Sequence, residues 1–115
     1  MDSRIRGFHA HVYYGADNID TARHLCERAK ALFPLAMGRM HEKPVGPHPE
    51  WSCQLAFAPE QFGDIVSWLA LHRRGLTVLV HPDTGDGLED HRDHAIWMGS
   101  MPELKLDIFG AGANE

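Results

Sequence analysis

Near the start of the chain, apolar and polar positions alternate strictly. Phe8, Ala10, Val12 and Tyr14 take one side of the pattern and His9, His11 and Tyr13 the other, the period-two signature of a strand over residues 6–14. Gly15-Ala16-Asp17-Asn18 breaks that strand and offers helix-capping side chains. From Ile19 the spacing becomes helical: Ile19, Ala22, Cys26, Ala29 and Phe33 form one stripe, closed by Pro34 and Gly38. A short second strand is expected over residues 38–45, ahead of the turn-rich run Gly46-Pro47-His48-Pro49-Glu50. A third strand, residues 51–57, puts Trp51, Cys53, Leu55 and Phe57 on one face and Ser52, Gln54 and Ala56 on the other. Pro59 suits the first turn of a second helix, continued by Phe62, Ile65, Val66, Leu69 and Arg73 and capped at Gly75. A fourth strand is expected at residues 76–81, ending at Pro82. The acidic run 83–91 fits neither template. A fifth short strand is expected at 95–98, and residues 110–115 are expected to fray.

The order β-α-β-β-α-β is the split βαβ arrangement of a ferredoxin-like α+β domain, a four-stranded antiparallel sheet with both helices on one face. One domain over 1–115 accounts for the chain, with its core at about 6–99 and a C-terminal tail at 100–115. In that topology the first strand lies between the third and fourth. The apolar sides, Phe8, Ala10 and Val12, Leu55 and Phe57, Val78 and Val80, then meet the helices. The opposite face receives His9, His11, Tyr13, Gln54 and His81, and His81 should approach His9.

Composition sharpens this picture. Nine histidines occur in 115 residues, against two cysteines. Cys26 and Cys53 form no C-x-x-C pattern and sit in apolar patterns, which favours buried free thiols. Eleven Lys and Arg stand against sixteen Asp and Glu, and the basic residues are scattered, so no nucleic-acid footprint is present. No run approaches the ~18–20 apolar residues of a membrane span, and the first residues lack a signal peptide's apolar core, so a reducing cytoplasm is expected. Nucleophile-elbow, P-loop and Gly-x-Gly-x-x-Gly motifs are missing, which disfavours covalent Ser chemistry and nucleotide binding.

Two histidines separated by one residue on a strand point the same way, with Cα atoms about 6.6–6.8 Å apart, a spacing suited to two ligands of one metal ion. The competing reading is a solvated polar face, and a third histidine on that face weakens it. A metal-bound imidazole needs its second nitrogen held, and Gln54, Glu42 or the loop aspartates are the candidates. His41-Glu42 is not a zinc-protease motif, because position 45 is Val. His48 is held between Pro47 and Pro49, whose fixed backbone angles aim a side chain well. The acidic run lacks EF-hand spacing. His91 and His94, three apart, can share a face of one helical turn. His24 and His72 fall on helix surfaces.

Phe8-His9-Ala10-His11-Val12-Tyr13-Tyr14, the run from His41 to Pro49, His81-Pro82-x-Thr84-Gly85-Asp86, Asp90-His91 and Ala95-x-Trp97-x-Gly99 resemble the DOPA 4,5-dioxygenase family. The resemblance runs from about Gly7 to Gly99. It implies a small ferredoxin-like domain, non-haem Fe(II) (zinc possible in a purified sample), and extradiol cleavage of a catechol-type substrate by O₂. On that basis His9, His11 and His81 are expected on the metal. His48 is the leading acid–base group with His91 behind it; the alternative puts His48 on the metal and makes His9 or His11 the base. Glu42 is a reserve carboxylate, and Tyr13, Gln54, Trp97 and Trp51 are candidates for the aromatic substrate. An open histidine-rich sheet face also suggests a homodimer. Two alternatives stand: a zinc or iron site doing hydrolysis or isomerisation, and a non-enzymatic metal- or ligand-binding dimer.

Overall fold

In the computed structural model, which describes residues 2–110, the alternating segment becomes strand β1 (Gly7–Tyr14), the middle strand of the sheet. Helix α1 (Ile19–Leu32) follows, then β2 (Leu35–Met37) and β3 (Trp51–Phe57). A 3₁₀ turn (Pro59–Gln61) leads into α2 (Phe62–His72), followed by β4 (Val78–Asp83), α3 (Gly87–Arg92), β5 (Ile96–Met98) and a last 3₁₀ turn (Leu106–Phe109). The strands are ordered β2-β3-β1-β4-β5, all pairs antiparallel. This is the expected four-strand order with β5 added on the outer edge of β4.

Alternation along the strands decides which face is which. Ala10, Val12, Tyr14, Cys53, Leu55, Phe57, Val78 and Val80 form one core with Ala22, Leu25, Cys26 and Ala29 of α1 and Ile65 and Leu69 of α2. Burying each large apolar side chain contributes about 1.5–3 kcal/mol. A one-residue slip of β1 would turn His9 and His11 into that core, so the register is strongly specified. Both cysteines are free thiols inside it.

The structure departs from the sequence expectation in three places. The second strand lies at Leu35–Met37, not 38–45, because α1 stops at Leu32 and Phe33 is already extended. Residues 38–41 still follow β3 through the Gly38 N–H to Gln54 (2.7 Å) and the His41 N–H to Ser52 (3.1 Å), but outside the ladder. The fourth strand runs two residues further, through Pro82, which pairs with Phe8. Because the Arg6 N–H reaches the Asp83 carbonyl, position 82 turns its backbone nitrogen to the other edge, which β5 leaves free beyond Val80. The acidic run contains helix α3, capped by the Asp86 carboxylate accepting from the Glu89 N–H at 3.0 Å. Asp86-x-x-Glu89 carried that signal in the sequence. The tail packs back onto the domain: the Lys105 N–H bonds the Pro47 carbonyl (2.8 Å), and Phe109 lies 5.0 Å from the His91 ring. Residues 111–115 of the segment expected to fray lie outside the described residues.

Candidate metal centre

The face away from α1 and α2 carries the chain's own His48 turn, α3 and tail. β1 and β4 pair His9 directly with His81, as the topology required. The turn carrying His48 folds back over the sheet within the same chain, so its ring lies 4.0 Å from that of His11. Helix α3 brings His91 to 4.0 Å from the His81 ring. His11, His48 and His81 are each at most 5% exposed, while His9 and His91 are half-buried.

Two overlapping groups emerge, His9, His11 and His81, and His11, His48 and His91. Within each, one ligand atom per residue lies within 4.8 Å of the others. His11 belongs to both. Neither group contains a carboxylate: Glu42 is exposed and takes part in neither.

The hydrogen bonds determine which nitrogen each ring can offer. His81 Nδ1 is 2.8 Å from the Pro82 carbonyl, and His91 Nδ1 is 2.7 Å from the Gly87 carbonyl. A carbonyl only accepts, so both Nδ1 atoms carry protons and the neutral rings present a lone pair at Nε2. His48 Nδ1 meets the Tyr13 hydroxyl at 2.7 Å. The second nitrogens are therefore held by two backbone carbonyls and a phenol, where the sequence pointed to Gln54, Glu42 or loop aspartates. His11 Nε2 and His81 Nε2 face each other at 3.0 Å. With a lone pair on His81, either the His11 N–H donates or a cation takes both lone pairs.

Burial disfavours the charged forms of His9, His11, His48 and His81. Burial, reinforced by four neighbouring imidazoles, holds His11 well below the ordinary imidazole range. Burial, with His91 close by, lowers both His48 and His81 to about 4. His9 is lowered by burial too, partly offset by Asp83. Burial pushes the Tyr13 hydroxyl up, so it remains protonated. Neutral imidazoles converging without a competing acid suit a first-row transition ion, and the residues present fit such a group.

Of the proposed substrate contacts, Gln54 borders a cavity of about 180 Å³ together with His11, His41 and His48. Tyr13 is 1% exposed, with its hydroxyl committed to His48, so it backs that ring. Trp97 meets Tyr13 edge-on at 5.9 Å, behind the histidines. Trp51 packs against Tyr14 on the helix side and is remote from this face. His94 stays outside the cluster, paired with Glu89 at 3.2 Å. Sequence reasoning missed Asp90, 3% exposed, whose carboxylate accepts from the Thr84 N–H (2.9 Å) and hydroxyl (2.6 Å) and so ties α3 to the end of β4. It also missed Phe109, for which only the absence of a side chain at Gly87 makes room.

Comparison with known proteins follows the same residues. The sequence matches the Dopa 4,5-dioxygenase family over residues 8–108. It is 42% identical over 121 residues to an uncharacterized 21.2 kDa protein of Botryotinia fuckeliana, covering 94% of this chain and 66% of that protein. It is 30% identical over 115 residues to a DOPA 4,5-dioxygenase of Amanita muscaria, covering 92% and 50%. The chain thus spans 66% of one curated relative and 50% of the other. A crystal structure of a proposed dioxygenase from Nostoc punctiforme has the same fold, with a TM-score of 0.90 at 44% identity, covering 94% of this chain and 95% of that one.

Proposed function

The chain belongs to the Dopa 4,5-dioxygenase family, and from that premise we propose that it is an iron(II)-dependent extradiol dioxygenase acting on a catechol-type substrate. The observation that carries the reading is the pair of three-histidine groups sharing His11. His9, His11 and His81 are assigned to hold the ion. His48 and His91 are assigned to proton transfer, the work imidazole most often does in enzymes. Bound iron(II) would supply the O₂ chemistry and a charge that favours loss of the catechol protons.

The protein's own part is positional. In the tautomer whose Nδ1–H donates to the Tyr13 oxygen, His48 keeps a lone pair at Nε2 to accept a phenolic proton and return it. The Gly87 carbonyl fixes the same tautomer in His91. Gln54 borders the cavity beside His11 and His48 and is retained as a substrate contact. In the overall reaction both atoms of O₂ enter the product as the ring bond beside the diol opens, so no outside reductant is consumed. The partners are a small aromatic substrate and O₂. A homodimer in the reducing cytoplasm is carried forward with this reading, and light scattering reads its mass. Among the described residues no helix is long and apolar enough to cross a membrane.

Anaerobic loading with Fe(II), addition of a catechol panel and admission of air test the proposal. Oxygen uptake with a yellow ring-opened product is expected, and His11→Ala should lose both while retaining the far-UV spectrum. Iron uptake without oxygen consumption on any catechol would sink it and leave the metal-binding or hydrolytic alternatives. Zinc in the protein as purified decides nothing, because imidazole sites hold it more tightly than iron(II).

A further inference from the structure

The five histidines stand on two kinds of support. His9 and His11 lie on β1 and His81 on β4, where His9 and His81 are direct partners in one antiparallel ladder. His48 and His91 lie outside the sheet, in the proline-flanked turn and in the six-residue helix α3. The ladder does not fix their distances from His11, yet their rings come to 4.0 Å and 6.3 Å from it.

The tail segment 105–110 touches both of these outer supports. At one end the Lys105 N–H bonds the Pro47 carbonyl at 2.8 Å, beside His48. At the other the Phe109 ring lies 5.0 Å from that of His91 and fills the space over Gly87, where a Cβ would fall 2.5 Å from it. Between these anchors runs a single 3₁₀ turn, Leu106–Phe109, closed by the Gly110 N–H on the Asp107 carbonyl at 2.9 Å. None of residues 105–110 is buried: Lys105, Asp107 and Ile108 are exposed, and Leu106 and Phe109 are half-buried. Segments with few buried apolar contacts open far more readily than the whole domain unfolds. This one is short enough to tie its two anchors together and loosely enough held to release them.

We propose that residues 105–110 are a closing strap. Docked over Gly87, it sets His48 and His91 against the strand-borne histidines; released, it disassembles the group His11, His48 and His91 and leaves His9, His11 and His81 in place. Phe109 is then a positioning residue, acting on His91 directly and on His48 through the bond from Lys105 to Pro47. The strap's part in turnover rests on the reading of His48 and His91 as the proton-transfer pair. Its coupling of the two supports does not.

Amide hydrogen exchange of the metal-free protein tests the coupling. Phe109→Ala empties the seat, Gly87→Ala fills it from below, and Phe109→Leu keeps an apolar occupant. The reporter is the His48 amide, bonded to the Val45 carbonyl at 3.0 Å on the other support. Phe109→Ala and Gly87→Ala should each speed its exchange about tenfold, the scale of one lost hydrogen bond, with the β1 and β4 amides unchanged. Phe109→Leu should restore most of the protection. An unchanged His48 amide, or equal acceleration throughout the sheet, would overturn the strap. Co(II) titration of Phe109→Ala should give an affinity within about twofold of wild type, because the strand group stays whole; a loss of about tenfold would overturn that independence. In turnover with iron(II) and a catechol, Phe109→Ala should lower kcat about tenfold or more at nearly constant KM, and an unchanged kcat would remove the positioning role. If wild type opens no catechol, the dioxygenase reading fails, while the exchange and Co(II) results still decide the strap.

Discussion

Asp90 makes the sharpest test of how the site is held together. Its buried carboxylate accepts two hydrogen bonds from Thr84, the residue that follows β4, and it sits within α3 one position before His91. Asp90→Ala removes both bonds and leaves two Thr84 donors without that acceptor. Each hydrogen bond to a charged group contributes about 1.5–3 kcal/mol. Thr84 is half-buried and its freed donors regain water, so the expected loss is about 2–3 kcal/mol, at or below the foot of the roughly 3–6 kcal/mol that two such bonds sum to. That corresponds to a fall of roughly 8–12 °C in Tm for a domain of this size. Urea unfolding followed by tryptophan fluorescence reads the stability. Hydrogen exchange at residues 84–92 reads whether α3 loosens first. Asp90→Asn keeps the shape and one acceptor and should lose about half as much. Because His91 Nδ1 is anchored to the Gly87 carbonyl in the same helix, a loosened α3 also moves His91 relative to His81. Unfolding of Asp90→Ala within about 0.5 kcal/mol of wild type, with unchanged exchange in α3, would refute the reasoning.

Three further outcomes follow from the site's hydrogen bonds and burial. Tyr13→Phe deprives His48 Nδ1 of its partner in a buried place and should cost about 1–2 kcal/mol in urea unfolding; His48→Ala should then make the tyrosine change almost silent, and additive losses would contradict the pairing. For the metal-free protein, His48 and His81 titrate near 4 when folded and near 6.5 when unfolded. The unfolded chain then binds more protons between those values, so stability holds above about pH 6.5 and falls toward pH 4, by at most about 2.7 kcal/mol per pH unit for the two groups. Equal urea midpoints at pH 7 and pH 5 after chelation would count against buried neutral rings. Gly87→Ala would place a Cβ about 2.5 Å from the Phe109 ring; it should displace the 105–110 segment, seen as faster proteolysis there, with little change in global unfolding.

Much of the histidine face was legible without coordinates. Strict alternation over Phe8 to Tyr14 separates His9, His11 and Tyr13 from Phe8, Ala10 and Val12, because successive strand side chains point to opposite faces. The helical stripe from Ile19 and the element order then specify which face the helices cover, and with it that His81 comes beside His9. The Asp86-x-x-Glu89 capping pattern made α3 readable in principle, although the acidic composition around it obscured the helix.

What only tertiary structure decided are the contacts between residues far apart in the chain with no shared period. Local propensity does not say that the Pro47-His48-Pro49 turn folds back over β1, yet that fold-back brings His48 to Tyr13, 35 residues away. Nor does the sequence show that the carbonyls of Pro82 and Gly87, available on every residue, are the groups that hold the second nitrogens of His81 and His91. The start of β2 depended on where α1 released the chain at Phe33, and the tail's place depended on a gap at Gly87 for Phe109. Residue type and periodicity determine which face a side chain occupies; the distances that make five imidazoles one site arise from packing, where loop closure and burial select a single arrangement.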